Sequence, residues 1–122
     1  VDVVLPWRAL MAGDEAAVTN VLRSVREIAR GKVLKVILET GELKDEALIR
    51  RACKLALDAR ADFLKTSTGK TPVGATPEAA RVMLETIAAT PGSRAGFKVS
   101  GGVRTVADAA LYDGLVREIL GP

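Results

Sequence analysis

Histidine is absent from the 122-residue sequence, and cysteine occurs once, as Cys53. The absence of imidazole excludes His-ligated zinc and iron centres and the Ser-His and Cys-His pairs of nucleophilic enzymes. A single thiol excludes an intrachain disulfide, and on the apolar face of a helix it predicts a core residue. We therefore expect a reducing, cytoplasmic setting and a reaction that uses no histidine.

Aromatic residues and long apolar runs are also scarce. One Trp, one Tyr and two Phe amount to 3% of the chain, too few for a surface that stacks nucleic-acid bases. The 18 basic residues are interleaved with 15 acidic ones, so we predict no basic patch that follows a phosphate backbone. No apolar run approaches the ~20 residues of a membrane span, and the chain opens on a strand-like segment rather than a signal peptide. We expect neither a nucleic acid nor a membrane as partner.

The remaining composition is that of an ordinary globular domain. Hydrophobic residues make up 48% of the chain and charged residues 27%, close to the averages for folded proteins. A chain of this length can bury roughly two thirds of the surface that its unfolded form exposes. We therefore expect one domain, residues 1–122, built around one core.

Four short apolar runs, roughly 30 residues apart, have the composition of buried parallel strands. These runs cover residues 1–5, 33–38, 61–65 and 95–99. After each run, apolar residues recur at steps of three to four, the spacing of one helix face. Start signals agree, because Thr76 precedes Pro77, and Thr105 with Asp108 resembles a capping box. The pattern predicts four consecutive βα units.

An alternating βα pattern predicts a parallel sheet flanked by helices. Two architectures satisfy it, a small doubly wound sheet and part of a (β/α)8 barrel, which usually needs ~250 residues. Four strands cannot close a barrel alone. The start on a strand and the end after a helix favour a piece of something larger. We expect an α/β fold that forms half of a TIM (β/α)8 barrel with parallel strands.

Each predicted strand carries an ionisable residue within the run or at its carboxyl end, although strands buried on both faces should be almost entirely apolar. These residues are Asp2, Lys35, Lys65 and Lys98. If their side chains share one interior, a carboxylate and three ammonium groups meet in one dry space, and lysine is almost never buried unless paired. The alternatives are a frayed end for Asp2, a rim position for Lys35, and solvated loops for Lys65 and Lys98.

The loop after the third strand ends like a phosphate-binding P-loop, in Gly69-Lys70-Thr71. A P-loop needs another glycine five positions before Gly69, and Leu64 stands there. Pro72 follows directly, and the predicted helix does not start until about Pro77. A hydroxyl-rich loop with a cation remains, suited to phosphate or only to solvent.

The loop after the fourth strand contains the pair Gly101-Gly102. Paired glycines before a helix let backbone N–H groups approach an anion, and the helix dipole favours its negative charge. A tight turn with no ligand explains the pair equally well.

Four segments of the chain resemble deoxyribose-phosphate aldolase. They are residues 1–10, 39–43, 61–70 and 96–105, the last three reading ETGEL, ADFLKTSTGK and GFKVSGGVRT. The resemblance implies a class I aldolase on a TIM barrel that needs neither metal nor cofactor. It also implies reversible cleavage of 2-deoxy-D-ribose 5-phosphate to glyceraldehyde 3-phosphate and acetaldehyde, in deoxyribonucleotide catabolism. The expected partner is a small phosphorylated sugar.

The resemblance also implies roles for single residues. Lys65, the first lysine of KTSTGK, would form the Schiff base with the substrate. Lys98 and Asp2 would transfer protons, and Lys35 matches a further active-site lysine. The expected phosphate region contains Gly69, Lys70, Gly101, Gly102 and Arg104.

The chain departs from the family in extent and at one position. It resembles strands four to seven with their helices, without the first three units and the eighth strand. Arg60 stands where a glycine is common, at a helix end whose left-handed backbone costs a non-glycine residue roughly 1 kcal/mol. Open sheet edges invite aggregation, so we expect a homo-oligomer or the missing barrel segments to cover them. A non-catalytic phosphate-binding half-barrel that self-associates, and another Schiff-base aldolase on this fold, are the alternatives.

Overall fold

The structure, a computed structural model, describes residues 1–121, within which four strands alternate with helices. The strands are β1 (Asp2–Val4), β2 (Lys35–Ile37), β3 (Phe63–Lys65) and β4 (Gly96–Lys98). The helices are α1 (Trp7–Met11), α2 (Glu15–Ile28), α3 (Thr40–Leu43), α4 (Glu46–Asp58), α5 (Pro77–Ala89) and α6 (Val106–Leu120). Each strand lies inside one of the four predicted apolar runs. The predicted series of four βα units is confirmed.

The strands form one parallel sheet in the order β1-β2-β3-β4. A doubly wound sheet reverses its strand order at a switch point, whereas a barrel adds each strand beside the previous one. The sequential order therefore favours the barrel over the doubly wound alternative. With four of eight strands, the chain forms half of a (β/α)8 barrel.

The two helix starts predicted from the sequence have the expected caps. The Thr76 hydroxyl accepts a hydrogen bond from the Ala79 N–H at 3.1 Å, and Pro77 is the first residue of α5. The Thr105 hydroxyl accepts from the Asp108 N–H, while the Asp108 carboxylate accepts from the Thr105 N–H. This reciprocal pair is a capping box, which satisfies two backbone donors that a helix start otherwise leaves free.

The core lies between one face of the sheet and the helices. Val36 and Leu64, neighbours in the sheet register, are fully buried on that face. Cys53 on α4 is also fully buried, and burial raises the pKa of its thiol to about 12. The prediction of a core cysteine is confirmed.

The opposite face of the sheet is open, contrary to the expectation that the strands are buried on both sides. Val4 is 42% exposed and Phe63 is 37% exposed on this face. Asp2 and Lys98 are exposed there as well. Residues 1–121 by themselves therefore do not enclose these side chains in one dry space, because the helices pack against the other face of the sheet. We call this open side the inner face of the sheet.

Two local features complete the fold. The short helices α1 and α3 were not predicted, because an apolar period is not visible over so few residues. Arg60 has the predicted left-handed backbone, with φ of 62°. None of the helices described in residues 1–121 is long and apolar enough to cross a bilayer.

Candidate active site

Lys65 and Lys98 are paired in the sheet register, each as the last residue of its strand. Neighbouring strands lie about 4.8 Å apart, and paired residues point to the same side of the sheet. Lys65 is half-buried and Lys98 is exposed. The structure therefore brings two lysines together at the carboxyl edge, where α/β proteins place their chemistry.

Asp2 and Lys35 form the second register pair, on the same inner face but two residues earlier along the strands. Two residues of strand correspond to about 6.6 Å. No ion pair involves either side chain within residues 1–121. Lys35 is half-buried, and Asp2 is exposed. The sheet thus places Asp2 beside Lys35.

The sheet does not bring Asp2 beside Lys98. These residues belong to β1 and β4, the two edges of the sheet. Three strand spacings separate those edges, roughly 14 Å in a flat sheet. A proton passing between Asp2 and the Lys65–Lys98 pair therefore needs water or substrate atoms in between.

The loop after β3 is held against the loop after β4. The Thr66 hydroxyl donates a hydrogen bond to the Ser100 carbonyl at 3.1 Å and accepts one from the Ser100 N–H at 3.0 Å. The Ala75 N–H donates to the same carbonyl at 3.1 Å. Both Thr66 and Ser67 are buried. Hydrogen bonds therefore hold the base of the loop that carries Gly69 and Lys70.

Gly101 and Gly102 both have a left-handed backbone, with φ of 74° and 75°. A Cβ atom on Gly101 would lie 3.1 Å from the Gly74 Cα, and one on Gly102 would lie 3.0 Å from the Ala75 carbonyl oxygen. Close approach of the two loops therefore requires glycine at both positions. This packing supports the tight-turn interpretation and leaves the anion interpretation as a prediction.

The remaining predicted phosphate residues lie on these same two loops. Gly69 and Lys70 are exposed on the first loop, and Arg104 is exposed on the second. The Arg104 N–H donates a hydrogen bond to the Asp108 carboxylate at 3.0 Å, and that bond holds the pKa of Asp108 below its ordinary value. Both loops stand at the carboxyl edge, as the resemblance implies, whereas Lys35 lies deeper along the sheet.

Glu39, at the end of the β2 strand segment, is a polar residue of this region to which sequence reasoning assigned no role. Its side chain is 2% exposed. One carboxylate oxygen accepts hydrogen bonds from the Thr68 N–H at 3.3 Å and the Thr71 hydroxyl at 3.1 Å. The only signal in the sequence was an acidic residue directly after an apolar run, at the carboxyl end of a strand.

A cavity of about 340 Å³ is lined by residues of α3, α4 and α5 and of the loop before α5. Its lining includes Gly41, Ile49, Val73 and Val82, and none of the predicted site residues. The cavity is therefore separate from the inner face on which Lys65 and Lys98 lie. The candidate active site is the open inner face itself.

Comparison with known proteins assigns this arrangement to a family. The model of the DeoC/LacD family aldolases matches residues 1–116. The chain belongs to this family. Membership confirms the resemblance drawn from the four sequence segments.

Relatives of known sequence and structure support the same assignment. The chain is 53% identical to a deoxyribose-phosphate aldolase from Agrobacterium fabrum, covering 100% of the chain and 47% of that protein. A candidate deoxyribose-phosphate aldolase from Coccidioides immitis superposes with a TM-score of 0.86 at 34% identity, covering 93% of the chain and 44% of that protein. A candidate deoxyribose-phosphate aldolase from Toxoplasma gondii ME49 superposes with a TM-score of 0.89 at 27% identity. The match covers 99% of this chain and 48% of that protein. The chain spans about half the length of the relatives it matches.

Proposed function

We propose that this chain carries the reacting half of an aldolase that reversibly cleaves 2-deoxy-D-ribose 5-phosphate to glyceraldehyde 3-phosphate and acetaldehyde. The observation that carries the proposal is the register pair of Lys65 and Lys98 at the carboxyl edge of the sheet. Family membership and the name of the Agrobacterium relative support the reaction class. The proposed setting is deoxyribonucleotide catabolism in the reducing cytoplasm.

Lys65 is the proposed nucleophile. An amine attacks a carbonyl only when it is uncharged, and a neighbouring cation disfavours a second positive charge. Lys98, on the adjacent strand, is that cation. The neutral Lys65 amine adds to the aldehyde carbon C1 of the open-chain sugar, and loss of water leaves a protonated imine.

The imine then accepts the electrons of the bond that breaks. A base removes the proton from the C3 hydroxyl, the C2–C3 bond cleaves, and C3 leaves as the aldehyde of glyceraldehyde 3-phosphate. The bond's electron pair forms the enamine between C1 and C2. Protonation at C2 followed by hydrolysis of the imine releases acetaldehyde and restores the amine. Asp2 and Lys98 are the proposed proton carriers, acting through water because the sheet separates them.

The two carboxyl-edge loops are the proposed phosphate region. Lys70 and Arg104 supply positive charge, and Gly69, Gly101 and Gly102 supply exposed or left-handed backbone. Lys35 is half-buried beside Asp2. It is proposed to contact the substrate from a position on the inner face two residues before the carboxyl edge of the sheet. A phosphate held at the loop level would leave the sugar chain reaching down to Lys65.

Water must be kept from the inner face for this chemistry, and residues 1–121 leave that face exposed. We propose that a second copy of the chain or further barrel segments cover it and pair with the edges of β1 and β4. Light scattering of the 122-residue chain tests this. A monodisperse ~13 kDa monomer that unfolds cooperatively would contradict self-association of the chain.

Reductive trapping tests the nucleophile. The chain is incubated with acetaldehyde and a hydride reductant, and the labelled peptide is mapped by mass spectrometry. One adduct on Lys65 is expected, with none on Lys35, Lys70 or Lys98. Lys65→Leu should eliminate the adduct while leaving the circular dichroism spectrum unchanged.

The pattern of labelling decides between the candidate functions. A label spread over many lysines would contradict the proposed mechanism. No label, together with stabilisation by phosphate, would favour the non-catalytic half-barrel. A Lys65 adduct with acetaldehyde but no cleavage of the sugar phosphate, when the covering segments are supplied, would favour a different Schiff-base aldolase.

A further inference from the structure

We propose that Glu39 is a positioning residue for Lys65, acting through the loop that follows β3. This inference rests on the proposed role of Lys65 as nucleophile. Glu39 lies two residues after the end of β2, in the segment hydrogen-bonded to the chain at Lys65 and Thr66. Its buried carboxylate and the peptide groups that flank it together hold the chain from the Lys65 carbonyl to Thr71.

The backbone around Glu39 continues the sheet beyond the last paired residues of β2 and β3. The Leu38 N–H donates to the Lys65 carbonyl at 2.9 Å, and the Thr40 N–H donates to the Thr66 carbonyl at 2.9 Å. Glu39 thus lies between two donors that fix the peptide units directly after Lys65. Any displacement of Glu39 moves the backbone from which the Lys65 side chain extends.

The side chain of Glu39 also forms hydrogen bonds with the loop that follows β3. Its carboxylate accepts from the Thr68 N–H and the Thr71 hydroxyl, three and six residues after Lys65. Burying a carboxylate is unfavourable unless hydrogen bonds replace its hydration, and bonds to a charged acceptor are the stronger kind. A 2% exposed carboxylate whose resolved donors both come from this loop is therefore tied to the loop's conformation.

The backbone conformation of Glu39 is a second, independent sign of constraint. Its φ of 58° lies in the left-handed region, which favours glycine. Glycine would relieve this strain and would remove the carboxylate. The two loop contacts, which need an acceptor side chain, offset the cost of this strained backbone.

Limited trypsin digestion of the full chain tests whether Glu39 restrains the loop after β3, and it does not require enzymatic activity. Cleavage after Lys70 should accelerate at least about ten-fold in Glu39→Ala, because two bonds to a charged acceptor are lost. Thr71→Val should give a smaller acceleration at the same site. Glu39→Gln keeps an acceptor oxygen on a side chain of the same length. It should therefore restore most of the protection against cleavage after Lys70.

A matched control separates this role from general stability. Glu42→Ala removes an acidic side chain three residues away, on α3, and should leave cleavage after Lys70 unchanged. Cleavage after Lys32 and Lys54, on distant surfaces, should be the same in all variants. An equal rise at Lys32, Lys54 and Lys70 in Glu39→Ala, or no rise at Lys70, would overturn the proposal.

Trapping at Lys65 then tests the functional consequence. Glu39→Ala should raise the acetaldehyde concentration that gives half-maximal labelling, and Glu39→Gln should return it towards the parent value. Unchanged labelling in Glu39→Ala would refute the positioning role. If the parent chain gives no Lys65 adduct, the proposed function fails, while the digestion result still decides whether Glu39 holds the loop.

Discussion

Lys65 and Lys98 occupy one register position on neighbouring parallel strands, so that two ammonium-bearing side chains start about 4.8 Å apart on the same face. Two ammonium groups that are brought close together repel each other. Lys65 is the less exposed of the two. This register pair is the basis on which Lys65 is proposed as nucleophile and Lys98 as the neighbouring cation.

Replacing the cation should change the pH dependence of reductive trapping. In Lys98→Leu, we expect less Lys65 adduct at neutral pH and recovery of the adduct at alkaline pH, because the neighbouring charge is gone. Labelling yield from pH 6 to 10 measures this. Lys54→Leu, which removes an exposed lysine from α4, is the control and should follow the parent profile. A Lys98→Leu profile that coincides with the parent would contradict the role of Lys98.

Two glycines outside the site should respond oppositely to alanine. A Cβ on Gly41 would lie 2.1 Å from the Val73 carbonyl oxygen, so Gly41→Ala must displace backbone and should cost about 1–3 kcal/mol. Gly114 lies inside α6 with nothing within 4 Å of its added Cβ, and Gly114→Ala should stabilise by roughly 0.5–1 kcal/mol. Urea midpoints measure both. Equal shifts in the same direction would contradict the packing around Gly41.

Local signals in the sequence predicted the elements of this fold well. Apolar runs located the four strands, and the caps at Thr76 and Thr105 located two helix starts, because each signal depends on residues within a few positions. Alternation along a strand also showed which residues share a face, as for Asp2 with Val4. These properties are set by backbone geometry and need no knowledge of what packs nearby.

Long-range relationships were not predictable in the same way. Alternation cannot tell what covers a face, so the sequence left open whether Asp2 and Lys98 are buried or exposed. The contacts of Glu39 with Thr68 and Thr71 join residues about thirty positions apart, and no local pattern encodes them. The pairing of Lys65 with Lys98 was expected only on condition that their strands are adjacent, which the register supplies.

Replacing Arg60 by glycine should increase the free energy of unfolding. Its φ of 62° is unfavourable for any residue with a Cβ, and its carbonyl oxygen, which accepts from the Arg26 guanidinium at 3.1 Å, would remain in a glycine variant. We expect Arg60→Gly to stabilise by up to about 1 kcal/mol, less the added entropy of a glycine in the unfolded chain. Thermal unfolding measures the change. Arg60→Ala keeps the strain and should not stabilise the chain, and a gain equal to that of glycine would contradict the strain argument.

Asp62 should make stability depend on pH in the acid range. Its carboxylate accepts from the Leu34 N–H at 2.8 Å and from the Arg26 guanidinium at 3.1 Å, and these bonds hold its pKa below the ordinary value. A lowered folded-state pKa contributes stability above the unfolded value of about 3.9 and loses it as pH falls through the folded value. Asp62→Asn should therefore melt below the parent at pH 7, and the gap should shrink below about pH 4. A gap that is constant from pH 7 to pH 3 would show that charge is not involved.

Binding of an anion at the two carboxyl-edge loops is the most direct test of the phosphate region. Inorganic phosphate at about ten times its dissociation constant stabilises the folded state by ~1.4 kcal/mol, which raises the melting temperature by a few degrees in a chain of this size. We expect this rise in the parent and a smaller one in Arg104→Leu, which removes an exposed charge from the second loop.

Two further variants make that result specific. Arg94→Leu removes an exposed arginine from the other end of β4, and it should retain the full rise because the charge lost is remote from both loops. Gly102→Val should abolish the rise, since its Cβ would crowd the Ala75 carbonyl and its φ of 75° disfavours a branched side chain. Because that variant is also strained, the comparison of Arg104→Leu with Arg94→Leu is the decisive one. Equal phosphate responses in those two arginine variants would place the anion elsewhere and leave the glycine pair as a packing device between the two loops.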